Sequence, residues 1–424
     1  SGAAAHSDHG REIALLFSDV VNGEASDYAI KSPEKLLKIA EEWGIETEKR
    51  SIEEVAKDVA KTAIIQFGQQ RGEVLFAHRA PEIRQKIWRD LNIMPRGIDR
   101  EITELMHRTH MGVDQDPLNI ILHGLRCAIA DGWGGSMIAT EFSDILFGMP
   151  GFERAKGDLG VLKEDEVNIV VHGHQPELSE MIAEVAEDEE MIAHAKRVGA
   201  KGINVVGMCC TGNEILLRRG IPIAGNFLDQ ESAIVTGAIE AMIVDVQCIM
   251  ESIVAVAKHY HTLIITTSEK AKISGAMHIE YEPRHGREIA KKIVREAIEN
   301  FPRRDKSKVF IPREETEGAV VGFTRENISY MLGGRHRASY RPLNDAIIQG
   351  RIRGVVGVIG CQNARLTQDK ITVELTKELI KNDVLVVQTG CSALAAAKAG
   401  LLKPEVKKIC GLGLDEICEA VGIP

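Results

Sequence analysis

The stretch Val167-Asn168-Ile169-Val170-Val171-His172-Gly173-His174 decides how this chain is read. A short apolar, β-branched run of this kind suits a strand buried on both faces, as in a parallel sheet covered by helices. It runs directly into His172-Gly173-His174, so imidazoles are delivered at its carboxyl end. In open α/β sheets that end lines the crevice where ligands bind.

The construction recurs along the chain. Ile203–Val206 runs into Cys209-Cys210, Met242–Val246 into Cys248, Val355–Ile359 into Cys361 and Val384–Val387 into Cys391. Leu263–Thr266, Val309–Ile311 and Val320–Phe323 are further strand candidates, and a long amphipathic helix is expected between Glu282 and Lys308. Strands alternating with helices predict a parallel sheet. Upstream, Pro33 to Trp43, Ser51 to Phe67 and Ala80 to Asn92 carry apolar residues at three- and four-residue spacing, which predicts helices. The expected fold class is therefore α/β: a helical domain over residues 1–150, a first Rossmann-like domain over 151–300 and a second over 301–424.

Five strand ends carrying His or Cys make a shared site the economical explanation. His172 and His174 are read as offering one ligand between them. Cys127, Cys410 and Cys418 lie on helical segments and are read as core, where a free cysteine behaves as a small hydrophobe. Thiolates with an imidazole select zinc, copper(I) or iron–sulfur assemblies. The absence of Cys-x-x-Cys argues against a zinc ribbon or a ferredoxin-type loop, and five or more donors exceed one tetrahedral ion. Gly354-x-x-Gly357-x-x-Gly360 lacks the dinucleotide spacing and is read as close backbone approach.

Composition narrows the function classes. With 62 acidic against 52 basic residues and a formal charge of −10, neither nucleic acid nor an anionic membrane is the expected partner. No run approaches the length of a spanning helix, and eight cysteines in 424 residues are too sparse for a secreted disulfide scaffold, so a cytoplasmic protein is expected. Both ends read as cut: no Met precedes Ser1, and Asp415 to Pro424 finish a helix where a further strand could begin.

At these residues the chain resembles the catalytic subunit of anaerobic nickel-containing carbon monoxide dehydrogenases. The resemblance rests on Ala5-His6-Ser7-Asp8-His9-Gly10, Asp131-Gly132-Trp133-Gly134-Gly135-Ser136, His172-Gly173-His174, Cys209-Cys210-Thr211-Gly212-Asn213-Glu214, Val244-Asp245-Val246-Gln247-Cys248, Gly360-Cys361-Gln362-Asn363 and Thr389-Gly390-Cys391-Ser392. In that family a nickel–iron–sulfur cluster oxidises carbon monoxide with water to carbon dioxide, two protons and two electrons. The resemblance implies that His174 and Cys210 hold the iron outside the cubane and that Cys248, Cys361 and Cys391 hold the remaining cluster. Cys209 is implied to be the mobile neighbour of Cys210.

The same resemblance implies a ferredoxin-like electron carrier, a homodimer, and additional 4Fe-4S clusters upstream of Ser1. A further cysteine ligand and a catalytic lysine are expected downstream of Pro424, so residues 1–424 alone are not expected to turn over. His6 and His9, three apart on a predicted helix, share a face and suit a proton relay. Position 12, where the resemblance leads one to expect a third histidine, is Glu12. Asp131 is read as orienting that base or hydrogen-bonding bound hydroxide, and Trp133 as packing. The rival readings are a hybrid-cluster protein of the hydroxylamine reductase type, which would need carboxylate ligands among the sulfurs, and a non-catalytic cluster-binding subunit.

Overall fold

The computed structural model describes residues 2–313, 316–333 and 339–421. They form two compact units, residues 1–149 with 283–286, and 150–282 with 287–424.

The first unit is helical: α1 (Gly2–Val21), α2 (Pro33–Glu42), α3 (Ile52–Gly68), α4 (Glu82–Asp90), α5 (Ile98–Arg108), α6 (Pro117–Ala130) and α7 (Ser136–Phe147). Local chemistry sets the ends. Ser51 caps α3 by accepting from the Glu54 N–H while the Glu54 carboxylate accepts from the Ser51 N–H, so two otherwise orphaned donors are satisfied. Apolar stripes close on Phe17, Phe76 and Phe142, with Phe17 and Phe142 stacked at 5.0 Å. Between α6 and α7 the chain makes one π-helical turn, Asp131–Gly135, which packs directly on α1. A Cβ on Gly10 would stand 2.4 Å from the Gly135 carbonyl oxygen, so only glycine permits that approach. Trp133 packs edge-on against Trp88, as expected of a core residue.

The second unit is α/β. Its elements are β1 (Glu153–Gly157), β2 (Val167–His172), α8 (Pro176–Ala186), α9 (Glu189–Arg197), β3 (Ile203–Met208), α10 (Cys209–Arg219), β4 (Ile223–Gly225), α11 (Gln230–Val235), β5 (Ile239–Val244), α12 (Ser252–Ala257), β6 (Leu263–Thr266), β7 (Met277–His278), α13 (Gly286–Asn300), β8 (Thr316–Val321), α14 (Arg325–Gly333), α15 (Arg341–Ile348), β9 (Gly354–Ile359), α16 (Lys370–Lys381), β10 (Val384–Thr389), α17 (Gly390–Lys398) and α18 (Leu412–Val421). Eight strands form one sheet in the order β7-β6-β5-β2-β3-β4-β1-β8, parallel except where β8 runs against β1. β9 and β10 form a separate parallel pair.

Every residue of β2 is buried, which explains its unbroken apolar run: it is a central strand covered on both faces. From β2 the chain steps through β3 to β4 on one side, and returns through β5, β6 and β7 on the other. The strand order reverses there, so the crevice at the carboxyl ends of β2 and β5 is the topological switch point. The expected strand at Val309–Ile311 does not form. The Val309 N–H closes the preceding turn on the Lys306 carbonyl, the Phe310 N–H reaches the Thr236 carbonyl, and Pro312 has no N–H to continue a ladder. The run near Val320 does form a strand, antiparallel to β1 at the edge of the eight-stranded sheet.

Candidate metal centre

Strand ends deliver the donors. β2 ends at His172, and Gly173 then takes φ +140°, turning the chain so that His174 follows in a loop. Cys209 and Cys210 open α10 immediately after β3, and Cys391 lies in the first turn of α17 after β10. Cys361 follows β9 by two residues and is exposed. Cys248 comes four residues after β5. Two helix N-termini thus present cysteines in their first turn.

These side chains meet. His174 is within hydrogen-bonding reach of Cys210 and Cys248, Cys209 of Cys248 and Cys391, and Cys248 of Cys361. All six therefore belong to one network. Burial works against charge on His174, but hydrogen bonds to the sulfurs of Cys210 and Cys248 outweigh it and push its pKa up to about 11. Hydrogen bonds from Cys209 and Cys361 hold the Cys248 thiol well below its ordinary 9.0, while Cys209 and Cys361, which share protons with it, are pushed up. Cys391 is lowered by its hydrogen bond to Cys209. Thiols packed this closely hold protons between them because they cannot all ionise without a compensating cation. That chemistry fits a polynuclear, thiophilic metal group, whose uptake would release those protons.

A second ring of contacts fixes the donors. His174 Nδ1 lies 3.0 Å from the Val246 carbonyl oxygen, which can only accept, so Nδ1 carries a proton and Nε2 is left for the sulfurs. The buried Asp245 carboxylate accepts the N–H groups of His174 (2.7 and 2.9 Å), Gln175 (2.8 Å) and Val246. Burial pushes the Asp245 pKa up to about 6 against the pull of His174 and these N–H groups. Gln230, fully buried, donates to the Cys248 carbonyl at 3.2 Å and accepts from the Met250 N–H at 2.9 Å. Ser392 ties the remaining loops: its N–H donates to the Gly360 carbonyl at 3.1 Å and its hydroxyl reaches the Val358 carbonyl at 2.7 Å. Cys209, Gln247 and Cys248 all adopt φ near +60°, a conformation that costs a non-glycine residue about 1–2 kcal/mol and is kept only where tertiary contacts insist.

In the first unit, His6 and His9 lie on α1, and His6 Nδ1 is 2.9 Å from Asp131 Oδ1, which also accepts from the Ser136 hydroxyl at 2.9 Å. Cys127 is buried in α6 of that unit, and Cys410 packs with the Leu343, Ile352 and Leu414 cluster, beside Cys418. Gly354 and Gly360 bracket β9 at φ +150° and +124°; only the Gly360 carbonyl touches a ligand loop. Sequence reasoning missed Asp245, Gln230 and Ser392. Asp245 and Ser392 stand inside quoted motifs, but nothing in the sequence says which N–H groups or carbonyls they meet.

The Prismane/CO dehydrogenase family matches residues 1–424. The chain belongs to that family. Carbon monoxide dehydrogenase 1 of Methanosarcina mazei is 53% identical over 424 residues, covering all of this chain and 67% of the relative. The beta subunit of carbon monoxide dehydrogenase/acetyl-CoA synthase from Moorella thermoacetica is 45% identical over 429 residues, covering 63% of that protein. Among solved structures, the as-isolated, nickel-free carbon monoxide dehydrogenase of Thermococcus sp. AM4 superposes with a TM-score of 0.95 at 52% identity, covering 100% of this chain and 66% of the other. The chain thus spans about two thirds of the length of the family members it matches. No helix among the described residues is long and apolar enough to cross a membrane.

Proposed function

We propose that this chain is the central portion of an anaerobic carbon monoxide dehydrogenase, oxidising carbon monoxide with water to carbon dioxide, two protons and two electrons, reversibly. The observation that carries the reading is the donor network: five thiols and one imidazole, from the ends of five strands, in a chain matching the family along its whole length. Asp245, a buried acid beside them, is committed to three backbone N–H groups, so the donor set read here is sulfur and imidazole, which does not favour a hybrid-cluster centre.

In this reading His174 and Cys210 hold one iron, Cys248, Cys361 and Cys391 hold the rest of a nickel–iron–sulfur cluster, and Cys209 stands beside them. When bound, the cluster supplies the Lewis acidity and the electron-accepting capacity the reaction needs. The chain's own groups orient donors and move protons. Asp131, accepting from His6 Nδ1–H, leaves Nε2 with the lone pair that takes a released proton, and its negative charge stabilises the imidazolium that results. His9, three residues further along the same helix, is the next station. The working enzyme is further read as a cytoplasmic homodimer that passes electrons to a ferredoxin-like carrier.

The test is anaerobic purification of the full-length protein, metal analysis and carbon monoxide-dependent reduction of a viologen dye. Nickel with iron and a carbon monoxide-dependent rate are the expected result. Iron without nickel together with hydroxylamine reduction would replace this reading with the hybrid-cluster one, and a metal-loaded protein inert to carbon monoxide would leave a binding subunit.

A further inference from the structure

His172 is not among the donors assigned above, yet it is the least satisfied polar side chain near them. It is 1% exposed, and neither Nδ1 nor Nε2 has a partner at hydrogen-bond geometry among the described residues. Gln230 and the Cys248 backbone lie beside the ring, but Gln230 spends its amide on the carbonyls of Phe227 and Cys248 and its oxygen on the Met250 N–H. A neutral imidazole carries one N–H and one lone pair, and burying both without partners is costly enough that native proteins rarely do it.

Strand register shows where the ring points. His172 pairs with Met208 on β3 and with Val244 on β5, and two residues earlier Val170 pairs with Val206 and Met242. Paired residues of parallel strands, and residues two apart on one strand, share a face. Val170, Val206, Met208, Met242 and Val244 all belong to the core cluster that contains Cys209 and Cys391 and against which Cys248 packs. His172 therefore presents its ring to the face of the sheet that carries the thiols, at the strand ends.

We propose that His172 donates its ring N–H to a sulfur of the metal group held by these cysteines, and so tunes its reduction potential without ligating it. This rests on the reading under Proposed function. A hydrogen bond to sulfur stabilises the charge that accumulates on reduction, and such bonds are among the determinants of cluster potentials. The unpartnered ring is then explained by the group it was built to meet.

The experiment is an EPR-monitored redox titration of the full-length wild type, His172→Leu and His172→Gln, with iron and nickel analysis and a deuterium-exchange measurement of proton hyperfine couplings. His172→Leu should keep wild-type metal content and shift the midpoint to more negative potential. His172→Gln, whose amide can still donate, should recover much of the shift and alter an exchangeable-proton coupling present in the wild type. An unshifted midpoint in the leucine variant, an unchanged coupling in the glutamine variant, or loss of metal in both would overturn the inference. If the wild type takes up iron and nickel and oxidises carbon monoxide while any of these holds, the inference alone fails; a wild type without iron overturns the functional reading with it.

Discussion

Gly173 and Asp245 meet across the point where the strand order reverses, and a Cβ on residue 173 would stand 1.7 Å from Asp245 Oδ1. That contact brings the carboxylate under the N–H groups of His174 and Gln175. Gly173→Ala should push Asp245 aside and force a residue with a Cβ into φ +140°, a strain of about 1–3 kcal/mol before the lost hydrogen bonds are counted. Iron content and thermal midpoint should both fall. Wild-type values for both would show that the loop holds His174 by other means.

His6 and Cys361 should separate chemistry from binding. In the full-length protein His6→Ala should leave iron and nickel unchanged while carbon monoxide oxidation drops by about a hundred- to ten-thousand-fold, the usual cost of losing a general base. Asp131→Asn, which keeps the shape but no longer fixes the Nδ1 proton, should fall between that variant and the wild type. Cys361→Ala removes a donor and should lower metal content along with activity. Near-normal turnover in the His6 variant would remove its proton role, and metal loss there would make it structural.

The metal-free protein should show a pH signature in the coupling between His174 and Cys248. The imidazole is raised from 6.5 to about 11 in the fold, so its contribution is complete below about pH 6.5 and is lost as pH rises towards 11. The Cys248 thiol is lowered from 9.0, so its contribution is complete above 9 and is lost as pH falls. Between about 6.5 and 9 the two slopes cancel, because the ion pair holds as many protons as the neutral pair it replaces. A double-mutant cycle with His174→Gln and Cys248→Ser, followed by thermal melts, should give a plateau there and a decline on each side. A coupling that changes steadily across that interval would contradict the ion pair.

At the opposite end of the sheet Arg304 donates to both oxygens of the fully buried Glu240 at 2.7 Å, and also to the carbonyls of Glu164, Glu166 and Ala238. Arg304→Met takes the guanidinium from a buried carboxylate that keeps His261 Nε2 at 2.8 Å and the Asn168 N–H at 2.7 Å, and should cost about 3–5 kcal/mol, visible as a lower thermal midpoint with the metal content of the surviving fold unchanged. Adding Glu240→Leu should recover part of that loss. No recovery would place the cost in the unpaired carbonyls instead.

By itself the sequence determined the alternation of strands and helices and the positions of the donors within it. Val167–Val171, Leu263–Thr266 and Val384–Val387 are legible because a run of β-branched residues has few other places to be buried. The thiols were legible because a cysteine that closes such a run, repeatedly, has a common direction. Tertiary structure alone decided the rest. Val309–Ile311 has the composition of a strand but no partner edge, and the chain near Val320 pairs antiparallel with β1, since pairing depends on which neighbour is in reach. The left-handed turn at Cys248, the bond from Asp131 to His6, the carboxylate of Asp245 under the His174 loop and the empty hydrogen-bonding capacity of His172 join residues up to 125 positions apart. Local propensity and periodicity are blind to such pairs, because their energies exist only once the sheet has brought the strand ends together.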